Sequence, residues 1–367
     1  MFTVEMLPGG RGDCLWIEYG ERAKPHIVLI DGGIPGTEKT LAARLKALPP
    51  DRRHIDLVVV THIDIDHIAG VLGLLRDPVD GLTIGDFWFN AWKHLPVDDP
   101  GELGAKQGEE LSFLLERRKL PWNKAFGGEA AVIAKDDELP VIALPGGMSI
   151  TVLSPRPKRL FNLRKTWKKE IENAGLIPGE AGAELHGQDE RDDDDGGLLG
   201  EALDIEDLAA SAFKGDTSDA NGSSLALLAE HDGHRCLLAG DAFADEVLRS
   251  VKLLAGAAGD DLFEIDALKL SHHGGRKNTS AALVQALACR DYLFSTNGTI
   301  YKHPQVETVA RVVQFGREAG VPRLHFNHRC DQTLKWDKPS LHPRSLKYEP
   351  IYPEPDTKGL MVTLSRS

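Results

Sequence analysis

The sequence predicts an α/β protein in which buried strands end in clusters of metal-capable side chains. Three observations carry that prediction. The run Ile55-Asp56-Leu57-Val58-Val59-Val60 is short, apolar and β-branched, as a buried strand requires, and it stops at Thr61-His62-Ile63-Asp64-Ile65-Asp66-His67. The run Ala267-Leu268-Lys269-Leu270 stops in the same way at Ser271-His272-His273-Gly274-Gly275. Apolar residues at helical spacing, Leu41, Leu45 and Leu48 and then Val71, Leu72, Leu74 and Leu75, supply the α component.

Composition narrows the class. A chain of 367 residues suffices for one large domain or two medium ones. Apolar content of 41% and charged content of 27% are those of an ordinary globular protein. No apolar window reaches membrane-spanning length, and Met1-Phe2-Thr3-Val4-Glu5 lacks a basic segment followed by an apolar one. The expectation is a cytoplasmic protein with no membrane partner. Cys14, Cys236, Cys289 and Cys330 are scattered without metal-type pairing and read as small buried hydrophobes. The net charge of −13 argues against a broad basic footprint for nucleic acid. Phosphodiester chemistry is not excluded, because bound divalent cations reverse the local field.

In chain order, residues 2–7 and 14–19 read as strands joined by the turn-rich Pro8-Gly9-Gly10-Arg11-Gly12-Asp13. A third strand, 26–30, ends in Asp31-Gly32-Gly33, which by itself reads as a helix-entry turn. Residues 37–48 form a helix stopped by Pro49-Pro50. Strand alternation through the following motif puts His62, Asp64 and Asp66 on one side and Ile63 and Ile65 on the other, with His67 beside Asp66. A helix then covers 68–75. Residues 84–92 form an aromatic strand closed by Asn90, a packed polar cap or a substrate contact.

From 93 to 215 the pattern loosens, and the region reads as an insertion offering a lid or a protein-partner surface. Within it lie a helix over 109–118, two short strands in 141–153 about Pro145-Gly146-Gly147, and a basic, Trp-containing helix over 161–173. That helix reads as a solvated amphipathic surface. The run Asp192-Asp193-Asp194-Asp195-Gly196-Gly197 lacks the EF-hand pattern and reads as a mobile acidic loop. Regular structure resumes with a hairpin, 225–229 and 236–239, turning at Asp232-Gly233 and ending at Gly240-Asp241. In isolation Asp241 would cap the helix beginning near Ala242. His231 and His234 lie on the turn and read as surface residues. A last strand, 291–295, leads through Thr296-Asn297-Gly298-Thr299-Ile300-Tyr301-Lys302-His303-Pro304 into a helix reaching about residue 320. His325, His328, Cys330, Trp336 and His342 follow without regular spacing and are assigned to sheet edge and packing.

His62-x-Asp64-x-Asp66-His67 resembles the His-x-His-x-Asp-His signature of the metallo-β-lactamase superfamily, with Asp64 in the second histidine slot. That substitution is similar to the nuclease-like domain of the ComEC-type competence proteins. Gly10-Arg11-Gly12-Asp13, Ile30-Asp31-Gly32-Gly33, Asn221-x-Ser223-Ser224-Leu225, Gly240-Asp241 and Leu268-Lys269-x-x-His272-His273-Gly274 resemble the same group in the same order. So does the loop from Ser295 to Pro304, with Lys302 in a glycine slot. The resemblance covers residues 1–90 and 220–305.

It implies an αββα sandwich in two halves, 1–92 and 216–320, separated by the 93–215 insertion and followed by a C-terminal extension, 321–367. It also implies two divalent metal sites that share Asp241. The first is thin, with His62 and Asp64, since no histidine stands near Asn221, Ser223 and Ser224 where the superfamily usually has one. The second has Asp66, His67 and one of His272 and His273, with His273 favoured as ligand and His272 facing substrate. Asp31 supports the metal loop. Asp66, His272, His303 and Lys302 are the catalytic candidates, and Asn221, Ser295 and Asn297 the substrate contacts.

Mixed histidine and carboxylate donors suit Zn, Mn or Fe, and Asp64 tilts the choice towards Mn. The implied activity is phosphodiester hydrolysis by a metal-activated water, most simply that of a nuclease. The rivals are a hydrolase of small phosphodiesters, esters or lactones, and a metal-stabilised, non-catalytic interaction module. A redox role like that of the diiron flavoproteins fits poorly, with no flavodoxin-like domain evident.

Overall fold

Strand alternation divides the apolar residues of the first half between two cores. In β1 (Phe2–Met6), β2 (Leu15–Glu21), β3 (Lys24–Ile30), β4 (His54–Val59) and β5 (Thr83–Trp88), successive side chains face opposite ways. Val28, Ile30, Leu57 and Val59 join one buried cluster. Ile27, Leu29 and Val58 join another. A sheet apolar on both faces has to be covered on both, which leads to a layered α/β architecture.

The computed structural model describes residues 1–96, 106–135, 138–173, 203–338, 346–355, 357 and 359–364. Beyond β5 come β6 (Val141–Ala143), β7 (Ser149–Ser154), β8 (Ala226–His231), β9 (His234–Leu238), β10 (Phe263–Glu264), β11 (Ala267–Lys269), β12 (Leu287–Ala288), β13 (Asp291–Phe294), β14 (Arg323–Phe326), β15 (Glu349–Ile351) and β16 (Leu360–Thr363). One sheet runs β16-β1-β2-β3-β4-β5 and the other β15-β14-β13-β11-β9-β8-β7-β6, while β10 and β12 pair separately. Their inner faces meet in a core that includes Val4, Ile17, Leu57, Ile150, Leu227 and Leu293.

Helices α1 (Glu38–Ala47), α2 (Ile65–Arg76), α3 (Lys106–Arg117) and α4 (Pro157–Asn173) cover the outer face of the first sheet through Leu41, Leu45, Val71, Leu111, Leu163 and Trp167. Of α5 (Ile205–Ala210), α6 (Asp219–Gly222), α7 (Ala244–Ala258), α8 (Ala281–Gln285) and α9 (Val306–Phe315), all but α6 contribute to the core over the second sheet, through Ile205, Val247, Val251, Leu283 and Val309. A short α10 (Asp331–Leu334) follows β14. The expected αββα sandwich is the observed fold.

Three features differ from expectation. Residues 141–154, read as part of an insertion, form strands of the second sheet, since β7 pairs antiparallel with β8. The physical reason is the full burial of Ile150 and Val152 between the sheets. Helix α4 is no solvated surface: Leu160, Leu163 and Trp167 are buried against the first sheet, and Arg164 lies over the Trp92 ring at 3.7 Å. Helix α2 begins at Ile65, so Asp66 and His67 are helical residues and the predicted strand alternation of His62, Asp64 and Asp66 does not apply. The acidic run at 192–197 and His342 lie outside the described residues.

The parallel strands β3, β4, β9, β11 and β13 set their carboxyl ends side by side. Asp31, the 61–67 segment, Asp241, His272-His273 and Ser295 all follow those ends, the usual place for a ligand in a parallel sheet. No helix among the described residues is long and apolar enough to cross a membrane.

Candidate metal centre

Chain geometry after β4 delivers three donors within a few residues. Asp64 takes the N-cap position of α2 with extended backbone, yet its side chain makes no capping hydrogen bond. Its carboxylate lies instead 3.4 Å from Nε2 of His62. Asp66 and His67 occupy the first turn, where the positive end of the helix favours carboxylates. The turn packs so closely on the β1–β2 connection that a Cβ on Gly12 would come within 1.7 Å of the Asp66 carbonyl oxygen.

After β11 the backbone turns through His272 (φ 49°), His273 (φ 56°) and Gly274 (φ 92°), three left-handed residues in succession. Non-glycine residues rarely adopt that conformation, and it clusters at functional sites. A side chain on Gly274 would meet Pro304 and Phe294. His273 is buried, and His272 keeps 24% of its side chain exposed.

Four imidazoles share one arrangement. Nδ1 of His62 lies 3.0 Å from Oγ1 of Thr61, a hydroxyl that itself donates to Asp31. Nδ1 of His67 lies 2.7 Å from Asp31, Nδ1 of His273 lies 3.2 Å from Asp13 and 3.1 Å from the Ser295 carbonyl, and Nδ1 of His272 lies 3.0 Å from Oδ1 of Asn278. Each partner is an acceptor, so each Nδ1 carries a proton and each Nε2 is the nitrogen left to face a metal. Those Nε2 atoms converge. Oδ2 of Asp241 lies 3.7 Å from that of His62, 3.4 Å from that of His67 and 3.8 Å from that of His272. Nε2 of His273 lies 3.3 Å from Nε2 of His67 and 3.5 Å from Asp66. This is how a protein orients histidines for a metal.

Electrostatics point the same way. Burial opposes charge on His67, but Asp241 and Asp31 outweigh it and hold its pKa well above the usual imidazole range. Burial is likewise overcome at His273, which Asp13 and Asp241 push up to about 9. Burial would raise the Asp241 carboxyl, yet His67, His272 and His273 bring it well below the usual carboxylate range. The cluster thus stabilises positive charge where the Nε2 atoms meet. His303, at ring-centroid distances of 5.0 Å from His272 and 6.1 Å from His273, is driven the other way by burial and then by those two neighbours, so it stays neutral.

The residues present fit a pair of divalent ions. Nε2 of His62 and Oδ1 of Asp241 are buried without a hydrogen-bond partner, a state that costs about 1–3 kcal/mol per atom unless ligation relieves it. Ligand atoms of His62, His67 and Asp241 lie within 4.8 Å of one another, as do those of Asp66, His67 and His273. Imidazole and carboxylate together suit first-row divalent metals.

The other sequence candidates separate. Asn221 donates to Asp216 at 2.7 Å, and its own Oδ1 is buried without a partner. Ser295 is buried and meets the cluster through its carbonyl, while its hydroxyl donates to Gly12. Asn297 shapes its own loop, accepting from the backbone and hydroxyl of Thr299. Lys302 is exposed at φ 53° on the rim loop. Asn90 binds the Ala131 backbone in both directions and is structural. His325 is paired with Asp291, away from the cluster.

Sequence reasoning assigned no role to Asp13, Lys269, Asp216, Ser224 or Asn278. Asp216 accepts from both Asn221 and Asn278, and so backs His272. Ser224 accepts from the Asp241 backbone at 3.0 Å. Asp13, Ser224 and Lys269 stand inside motifs that carry the resemblance, which was the one available signal. For Asp216 and Asn278 the sequence held none.

Residues 8–162 match the family model of the metallo-beta-lactamase superfamily. No curated protein matches the chain. Among solved structures, the chain is similar to CmlA, a diiron beta-hydroxylase from Streptomyces venezuelae, at 12% identity and a TM-score of 0.43, over 99% of this chain and 54% of that one. The chain therefore spans about half the length of that hydroxylase. It is similar to the metallo-beta-lactamase fold protein YhfI from Bacillus subtilis at 11% identity and a TM-score of 0.39, over 99% of both chains. Similarity to Zn(2+)-bound PqqB from Methylobacterium extorquens reaches 15% identity and a TM-score of 0.40, over 99% of this chain and 100% of that one.

Proposed function

We propose that this chain, whose residues 8–162 match the metallo-β-lactamase superfamily model, is a metal-dependent phosphodiesterase of nuclease type. The observation that supports this reading is the convergence of four Nε2 atoms, each with its Nδ1 committed outward, on the carboxylates of Asp66 and Asp241. His62, Asp64 and Asp241 would hold one divalent ion, and Asp66, His67, Asp241 and His273 the other. Such a pair supplies a nucleophilic water at neutral pH and stabilises the attacking and leaving oxygens of an in-line displacement.

The chain's own groups do the rest. Asn278 fixes the His272 ring, so its partly exposed Nε2 edge is set at the mouth of the cluster. Neutral His303 stands edge-on to it at 5.0 Å and offers a hydrogen bond to a phosphoryl oxygen without adding charge. Lys302, exposed beside it, supplies a cation to an arriving diester. The carboxylates of Asp64, Asp66 and Asp241 make manganese the favoured ion over zinc alone.

The test is hydrolysis of bis(p-nitrophenyl) phosphate and of labelled single- and double-stranded DNA, with Mn, Zn or Mg supplied, by the wild type and by Asp66→Ala. Metal-dependent DNA cleavage that vanishes in the variant is the expected result. Turnover of the small diester alone would redirect the proposal to a small-molecule phosphodiesterase. Wild-type rates in Asp66→Ala would sink it.

A further inference from the structure

Two motifs singled out in the sequence, Gly-Arg-Gly-Asp and Leu-Lys-x-x-His-His, meet in the fold although their partners stand 256 residues apart. Lys269 is wholly buried, and its ammonium donates to Oδ2 of Asp13 at 2.6 Å and to the Leu270 carbonyl at 2.8 Å. The second oxygen of Asp13, Oδ1, faces Nδ1 of His273 at 3.2 Å, beside the Ser295 carbonyl at 3.1 Å. Asp13 is 1% exposed, so no solvent competes for it.

We propose that Lys269 sets the tautomer of His273 through Asp13, and thereby governs occupancy of the second divalent-cation site. The inference rests on the reading of His273 as a ligand. Its logic is hydrogen-bond polarity. An ammonium can only donate, so the carboxylate between it and the imidazole accepts on both sides. Nδ1 of His273 must then carry a proton, and Nε2 is the nitrogen left to ligate an ion held with Asp66 and His67. Lys269 also offsets the charge of Asp13, so the imidazole gains an anionic acceptor without a net charge being added behind the site. Asp31 orients His67 differently, accepting from the Thr61 backbone and hydroxyl, with no buried cation in that set.

An amide in place of the carboxylate separates this role from that of a plain buried ion pair. In Asp13→Asn the side chain accepts on one edge and donates on the other. Whichever way it turns, it faces a donor with a donor, at Lys269 or at His273. Removing the ammonium as well, in Asp13→Asn with Lys269→Met, frees the amide to offer its oxygen to His273. Titration of the full-length protein with Mn or Zn by calorimetry should therefore show one of two sites weakened roughly 10–100-fold in Asp13→Asn and largely restored in the double variant. Long-range proton–nitrogen correlation of the histidine side chains should show the Nδ1–H form of His273 lost or perturbed, and then recovered.

A single variant that keeps wild-type affinity and tautomer overturns the proposal. So does a double variant that folds but binds one cation. That double variant contains no buried charge at this position and carries the test even where Asp13→Asn fails to fold. Both readouts are independent of substrate. Two tight cations without hydrolysis would overturn the phosphodiesterase reading alone, whereas hydrolysis with unaltered affinities in Asp13→Asn would overturn this one alone.

Discussion

His94 shows how one buried side chain makes stability depend on pH. Its Nδ1 accepts from the Ala91 backbone at 3.0 Å, its ring meets Trp122 edge-on at 4.9 Å, and the Lys93 ammonium lies 3.6 Å from the centroid of that Trp122 ring. Burial first, and the Lys93 charge second, bring its pKa down to about 4. In the unfolded chain the group titrates near its ordinary value of about 6.5. Between those values the unfolded state binds a proton that the folded state refuses, so stability falls as pH drops from about 6.5 towards 4. Above that window the group contributes nothing to the pH dependence. The loss attributable to it is on the order of 3 kcal/mol by pH 4. Replacing His94 by Asn keeps an acceptor near Nδ1 and removes the proton. Urea unfolding of wild type and His94→Asn at pH 7.5, 6 and 4.5 should give curves that converge as pH falls. Parallel curves across the three pH values would show that His94 titrates normally.

The start of α2 joins secondary structure to the site, and there the sequence was only partly legible. The donors His62, Asp64, Asp66 and His67 were visible because ligand clusters after an apolar run are a local signal. Their geometry was not, because strand alternation was extended past Val59 into a turn and a helix. Asp64 occupies the N-cap position of α2, yet its side chain leaves the capping bond unmade and turns to His62. Ser280, by contrast, caps α8 by accepting from the Leu283 backbone at 3.1 Å. The two positions should separate in chelator-treated protein. Ser280→Ala should cost about 1 kcal/mol, as loss of a made cap does, while Asp64→Ala should stay within about 0.5 kcal/mol. With Mn restored, Asp64→Ala should bind one ion more weakly and Ser280→Ala should bind as the wild type does. Chemical denaturation with and without metal reads both, and a cost of 1 kcal/mol or more at Asp64 in the metal-free protein would mean that it caps after all.

At the scale of the molecule, what the sequence concealed was pairing across distance. Two short strands were legible over 141–153 about Pro145-Gly146-Gly147, but nothing local said that β7 would lie beside β8, more than seventy positions on in the chain. The meeting of Asp13 with Lys269 was equally silent, because polarity patterns encode which face is buried and not which partner covers it. The same long-range assembly has a consequence for stability. The ligand candidates come from both halves of the sandwich: His62, Asp64, Asp66 and His67 follow a strand of the first sheet, and Asp241 and His273 follow strands of the second. Ions held between them would tie the two sheets together in the native state and have no comparable site in the unfolded chain. Ligand linkage then stabilises the fold by about 2.7 kcal/mol for each site at a free-ion concentration one hundred times its Kd. Calorimetric melting with Mn and then with excess chelator should therefore show a clear drop on chelation. Asp241→Ala, which removes the carboxylate shared by both sites, should melt at nearly the same temperature in the two conditions. A wild type indifferent to chelator would mean that the sandwich closes without its ions, and the converging Nε2 atoms would need another explanation.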